Sequence, residues 1–101
     1  MIIEWDDNKN QRNIQRRGLD FRDAKSILKG PTIEGEDTRK NYGEVRWVAH
    51  GLFRGFIVVI VYTIRNDKIR IISLRYANKR ERGRYEHKIR SKALAVATET
   101  S

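Results

Sequence analysis

RIISLRYANKRERGRY, residues 70–85, is the stretch on which the fold of this chain turns. Ile71, Ile72, Leu74 and Tyr76 give its first half β-branched and aromatic character, which predicts a strand. A helix-start signal follows: Asn78 can cap, and Glu81, three residues on, can complete a capping box. Six Arg or Lys side chains occupy these sixteen positions, beside Ser73, Glu81 and two tyrosines. A strand-to-helix junction of that composition can bind a polyanion and present acid–base groups to it. The rest of the chain reads as its scaffold.

Upstream, Ile2 to Trp5 is a short strand candidate. Asp6 or Asp7 can cap a helix over about 7–16, with Gly18 as its left-handed C-terminal residue. Its one clear apolar residue is Ile14, so this helix is expected to be largely exposed. Asp20 can cap a second helix over 21–29, where Phe21, Ala24, Ile27 and Leu28 form a narrow apolar stripe, and Gly30-Pro31 stops it. Residues 32–43 read as a polar connection. A strand over about 44–50 puts Val45, Trp47 and Ala49 on one face and Glu44, Arg46, Val48 and His50 on the other. Gly51 to Gly55 reads as a turn, Phe56 to Ile64 as a central strand buried on both faces, and Asn66-Asp67 as the turn into a strand over 69–76. The last helix, about 78–96, is polar until Ala93 to Ala97, and Gly83 weakens its middle by ~1 kcal/mol relative to Ala. The expected architecture is α+β, in the order β-α-α-β-β-β-α: an antiparallel meander, two helices on one face and a C-terminal helix.

Composition narrows the function. The 101 residues are expected to form a single domain with a modest core. The formal charge is +9 with a sequence pI of about 10.3, which favours an acidic partner. Residues 1–64 hold 11 Lys and Arg against 9 Asp and Glu, whereas 65–92 hold 11 against 3, so the basic character belongs to the last strand and helix. Nucleic acid is the partner that this local density suits best. Without cysteine there is no disulfide framework, thiol catalysis or cysteine-ligated zinc. His50 and His87 share no ligand spacing, and no Gly-rich phosphate loop joins a strand to a helix, so no metal and no cofactor are expected. The N-terminus does not read as a signal peptide, and the longest apolar run, Phe56 to Ile64, falls far short of the roughly 20 residues of a spanning helix. A soluble, cytoplasmic protein is the expectation.

Several side chains could carry chemistry. Glu44, Arg46 and His50 share one strand face, Ser73 and Arg75 another, and a central strand lies between. Glu81 and Tyr85, four apart on the last helix, approach the same place. RNA cleavage needs a base for the 2′-hydroxyl, cations for the crowded phosphorane and an acid for the departing 5′-oxygen. Glu44, Glu81 or His50 could be the base, Arg46 and Arg75 the clamp, and Tyr85 the acid or a hydrogen-bond donor. Arg39, Arg70, Lys79, Arg80 and Arg82 are candidate RNA contacts. The structural readings are that Glu44 and Arg46 pair with each other, that Glu81 only caps, and that Tyr85 and His50 only pack. Arg75 stands out because its strand is otherwise devoted to Ile and Leu; as an exposed cation, its loss should spare the fold.

Taken in order, these pieces resemble the BrnT toxin family of bacterial type II toxin–antitoxin systems, over about residues 3–86. They are Trp5-Asp6 with Lys9 and Asn13; Gly18 with Phe21 and Ala24; Asp37-x-Arg39; Tyr42-Gly43-Glu44-x-Arg46; and Arg70-Ile71-Ile72-Ser73-x-Arg75-x-Ala77 with Glu81 and Tyr85. The resemblance implies a RelE-like ribonuclease fold, RNA cleavage without metal, arrest of translation, and neutralisation by a BrnA-type ribbon-helix-helix antitoxin whose complex grips operator DNA. Arg17 stands where such sequences commonly carry His, so no role is assigned there. Residues 87–101 lie outside the resemblance. A non-catalytic nucleic-acid-binding module and a pure interaction subunit are the alternatives, and RNA incubated with the protein in EDTA separates them.

Overall fold

The computed structural model describes residues 1–100, with side chains described through Ala97. Strand β1 (Ile3–Trp5) leads into helix α1 (Asp7–Arg17), a single 3₁₀ turn (Phe21–Asp23) and the short helix α2 (Ala24–Lys29). Strands β2 (Ile33–Glu36), β3 (Trp47–Phe53), β4 (Phe56–Arg65) and β5 (Lys68–Tyr76) follow, and helix α3 (Lys79–Thr100) closes the chain. The fold is α+β, with one mixed five-stranded sheet in the order β1-β5-β4-β3-β2. Only β1 runs parallel to its neighbour β5; the other pairs are antiparallel.

Three expectations about the strands are corrected, and the added strand β2 changes the expected order β-α-α-β-β-β-α to β-α-α-β-β-β-β-α. Residues 32–43 are not wholly connection, because Ile33–Glu36 pairs with β3 as an edge strand. The strand expected over 44–50 instead runs Trp47–Phe53, leaving Glu44 and Arg46 in the preceding loop. Gly51 sits inside that strand rather than in a turn. A Cβ there would come within 2.8 Å of Ile27 Cγ2, so this glycine lets α2 press against the sheet. The turn is made by Arg54 and Gly55 alone, at φ 50° and 83°, and Asn66 and Asp67 repeat the device at φ 52° and 63°. Both are the two-residue left-handed turns that match strand twist.

α1 carries little apolar surface and is held by polar anchors instead. Asp6 caps it through Lys9 N (3.1 Å), and Gly18, at φ 68°, closes it onto the Ile14 carbonyl. Buried Asn10 accepts from Phe21 N (2.8 Å), and buried Asn13 donates to the carbonyls of Leu19 and Leu74 (both 2.9 Å). These bonds replace the missing apolar stripe. The second expected helix splits, with Asp20 capping the 3₁₀ turn and α2 following. Leu19, Phe21, Ala24 and Ile27 cover one sheet face, over Ala49, Val58, Ile60, Tyr62, Ile71 and Leu74; Trp5 and Trp47 pack at its margin. On the other face a smaller cluster of Ile57, Val59, Ala77 and Tyr85 seats the start of α3.

Candidate active site

Three adjacent strands make the floor of a cleft. His50 pairs with Val59 and Val59 with Arg75, so the three side chains form one row across β3, β4 and β5. The next row holds Val48, Val61 and Ser73. Both rows point away from α1 and α2, as alternation along the strands requires once Ala49, Ile60 and Leu74 face the core.

α3 supplies the wall. Asn78 Oδ1 accepts from Glu81 N (2.8 Å) and Glu81 Oε1 accepts from Asn78 N (2.9 Å), the reciprocal capping box expected of this junction. The same carboxylate takes both ends of the Arg75 guanidinium, Nη1 at 2.7 Å and Nη2 at 2.8 Å. Helix start and sheet cation therefore share one anion. Glu81 is 8% exposed while 35% of the Arg75 side chain remains open, so Arg75 is not the freely removable cation its sequence suggests. His50 completes the group. Its Nε2 lies 3.8 Å from Glu81 Oε2, buried and without a hydrogen bond.

The electrostatics divide the labour. The Arg75 hydrogen bonds hold the Glu81 carboxyl down at about 2, against a burial that would raise it. Glu81 is thus a fixed anion at neutral pH and a feeble base. Burial pushes the His50 imidazole below its ordinary value, with Arg84 and Arg75 adding to the push and Glu81 opposing it. His50 is therefore neutral at pH 7 and able to take a proton.

A loop over 37–46 overhangs this floor. Buried Asp37 accepts from Arg39 Nε (2.9 Å), Arg39 Nη2 (3.0 Å) and Tyr42 Oη (3.0 Å), and the Arg39 hydrogen bonds hold its carboxyl far below the usual range. Arg39, 76% exposed, is thereby fixed as a cation at the rim. The cleft, about 240 Å³, is lined by Asp37, Arg39, His50, Arg75, Glu81 and Arg84 among others.

Of the residues singled out from sequence, Arg75, Glu81, Arg39 and His50 come together here. Glu44 and Arg46 do not line the cleft. Glu44 bonds Arg65 (2.7 Å) and Arg46 (3.4 Å), while the Arg46 guanidinium lies 4.1 Å from the centre of the Tyr42 ring. They brace the overhanging loop, and Arg65 chiefly keeps the Glu44 carboxyl below its ordinary value. Tyr85 is 4% exposed and donates to the Pro31 carbonyl at 2.6 Å, beneath α3. Arg70 lies further along the same face, 3.6 Å from Glu4. Lys79, Arg80 and Arg82 are exposed on the first turns of α3 but outside the cleft lining, with Arg82 Nη1 donating to the Ala77 carbonyl (3.0 Å). Arg84 was not anticipated; its position three residues after Glu81, on the same helical side, was the available signal.

A family model described as the ribonuclease toxin BrnT of type II toxin–antitoxin systems matches residues 5–81. The chain belongs to this family. No curated protein matches it. The span matched to BrnT opens at Trp5 and closes on Glu81, so it takes in Asp37, Arg39, His50, Arg75 and Glu81 and leaves Arg84 and Tyr85 outside. BrnT membership supplies the reaction class, RNA cleavage, and the setting, a toxin with an antitoxin. Among the described residues no group of three His, Cys, Asp or Glu side chains could hold a metal ion, and no helix is long and apolar enough to cross a membrane.

Proposed function

We propose that this BrnT chain is a metal-independent endoribonuclease of RelE-like fold that cleaves RNA by internal attack and so arrests translation. The observation that carries the reading is the His50 imidazole set 3.8 Å from the Glu81 carboxylate, in a cleft rimmed by Arg39, Arg75 and Arg84. The His50 imidazole takes the proton of a ribose 2′-hydroxyl. The 2′-oxygen bonds to phosphorus while the bond from phosphorus to the 5′-oxygen breaks, giving a 2′,3′-cyclic phosphate and a 5′-hydroxyl. Solvent at the open side of the cleft protonates the leaving oxygen. Glu81 stabilises the imidazolium as it forms, and the loose contact of the free protein tightens when charge appears. Arg75, held in place by Glu81, and Arg39, held by Asp37, stabilise the dianionic phosphorane. Glu44 and Arg46 act through the loop that carries Arg39, and Tyr85 positions α3.

Regulation falls to a BrnA-type ribbon-helix-helix antitoxin. Leu94 and Val96 are 64% and 60% exposed near the end of α3, next to a strongly basic helix. An acidic, amphipathic antitoxin segment that orders there would cover apolar surface and block phosphate access together. Two toxin chains on one antitoxin dimer would then grip the operator.

The test is incubation of the purified protein with end-labelled RNA in EDTA. Cleavage to 2′,3′-cyclic phosphate ends is expected, because internal attack needs no activated water. Products ending in 5′-phosphate would refute the mechanism, and binding without cleavage would leave a non-catalytic module.

A further inference from the structure

α1 and the edge of β5 border a second, open cavity of about 220 Å³, reaching Ile72 and Ser73. Its rim is cationic: Lys9, Arg12, Arg16 and Arg17 line it from α1. Lys9, Arg12 and Arg16 recur at the spacing of one helical stripe and span about 10 Å of helix, the length of three nucleotides of one strand. Among the described residues none of these three forms an ion pair with a carboxylate; Asp6 at the helix start feels the charge of Arg12 but bonds Lys9 N. Arg17 is already engaged, with its guanidinium 3.4 Å from the Leu74 carbonyl and 3.3 Å from Asn13.

The sheet explains why the cavity is open. β1 pairs with β5 only as far as Ile71, and a bulge follows, since Tyr62 faces Ile71 while Val61 faces Ser73. Ile72, left unpaired in the ladder, and Ser73 therefore border the cavity at an uncovered edge. Ser73 pairs with Val61 and lies two positions from Arg75, both of which line the cleft, so this residue stands between the cleft lining and the cavity.

We propose that the α1–β5 groove is an RNA-backbone track that holds the phosphates of the strand leaving the cleft across Ser73. The inference rests on the ribonuclease reading for the source of that strand. Its occupant is a polyanion rather than an amphipathic protein segment, because the groove offers a line of cations and almost no apolar floor beyond Ile72 and the edge of Phe21. Substrate length, not base identity, is what such a track senses.

The triple variant Lys9→Gln/Arg12→Gln/Arg16→Gln tests it, with 2′-O-methyl RNA oligomers of about 4 and about 16 nucleotides as uncleavable probes. A matched control removes the exposed cations of the next helical segment, Arg22→Gln/Lys25→Gln/Lys29→Gln. The groove variant should bind the long oligomer at least tenfold more weakly at low salt, and its log affinity should fall with log salt by a slope smaller by about 2, as three lost single-strand contacts require. Binding of the short oligomer and cleavage of a short unmodified RNA should not change. Unchanged affinity for the long oligomer would overturn the track, as would equal weakening in the control. Unchanged RNA binding with weakened binding of polyglutamate would assign the groove to an acidic protein. Because the probes cannot be cleaved, a protein that fails to cut any RNA would refute the ribonuclease reading without touching this measurement.

Discussion

On the sheet face under α1 and α2, Ala49, Val58, Ile60, Ile71 and Leu74 are at most 2% exposed, sealed by Leu19, Phe21 and Ile27. On the opposite face the neighbouring positions of the same strands, Val48, His50, Val61, Ser73 and Arg75, stay partly open to water. One alternation of side chains thus builds a closed core on one side and a charged floor on the other. The difference lies in what covers them. α2 and the 3₁₀ turn close the first face with apolar side chains. α3 packs on the second through Tyr85, Ile89 and the capping box, and a loop held by charge-assisted hydrogen bonds covers part of the rest. Apolar burial fixes the scaffold; ion pairs fix the site.

Substitutions on the two faces should separate accordingly. Phe21→Ala, in the closed core, should lower stability by about 3–5 kcal/mol in urea titration and reduce activity only through the unfolded fraction. Arg75→Ala should do both kinds of damage. Loss of a transition-state donor should slow RNA cleavage by about 10²–10³-fold, and leaving the Glu81 carboxylate unpaired should cost about 1–3 kcal/mol of stability. If Arg75→Ala proves as stable as the parent, the shared anion is not the tie between helix and sheet. The pair also has a pH signature. Glu81 titrates at about 2 in the fold against an ordinary 4.5, so its contribution is fully present above pH 4.5 and fades as pH falls towards 2. That contribution, of order 3 kcal/mol, should vanish from the acid-unfolding curve of Glu81→Gln. Smallest is Tyr85→Phe, which loses one bond to the Pro31 carbonyl: a fall of about 1 kcal/mol in stability, with the cleavage rate of the folded protein unchanged. A large rate loss there would move Tyr85 back into the chemistry.

How much of this was legible depended on which force shaped each element. The capping box, the Gly18 terminus and the face shared by His50, Ser73 and Arg75 follow from local rules, and the structure keeps them. Glu36 and Glu34 flank Gly35 in β2, an edge strand with one apolar residue and no alternation to read. Glu44 and Arg46 have the right period for the strand that follows, but their charges pair with Arg65 and stack on Tyr42, which pulls them into the loop. Gly51 looked like a turn residue because its reason, the approach of Ile27, lies 24 positions away. The anchoring roles of Asn10 and Asn13 could not be read, since their partners, the Phe21 amide and the Leu19 and Leu74 carbonyls, lie outside their own helix. The double use of Glu81, as cap and as counter-ion to Arg75, could be named residue by residue but not as one carboxylate.

In the proposed reaction His50 takes the proton, and the pH dependence of single-turnover RNA cleavage in EDTA by the parent and His50→Gln is the decisive measurement. Burial lowers the imidazole pKa, so the parent rate should climb with pH to a plateau reached through a midpoint below 6.5. His50→Gln should lose that limb together with about 10²-fold or more of the rate, the usual contribution of a positioned base. Cleavage by His50→Gln at the parental rate, with the same acid limb, would contradict the assignment and return the chemistry to another group in the cleft.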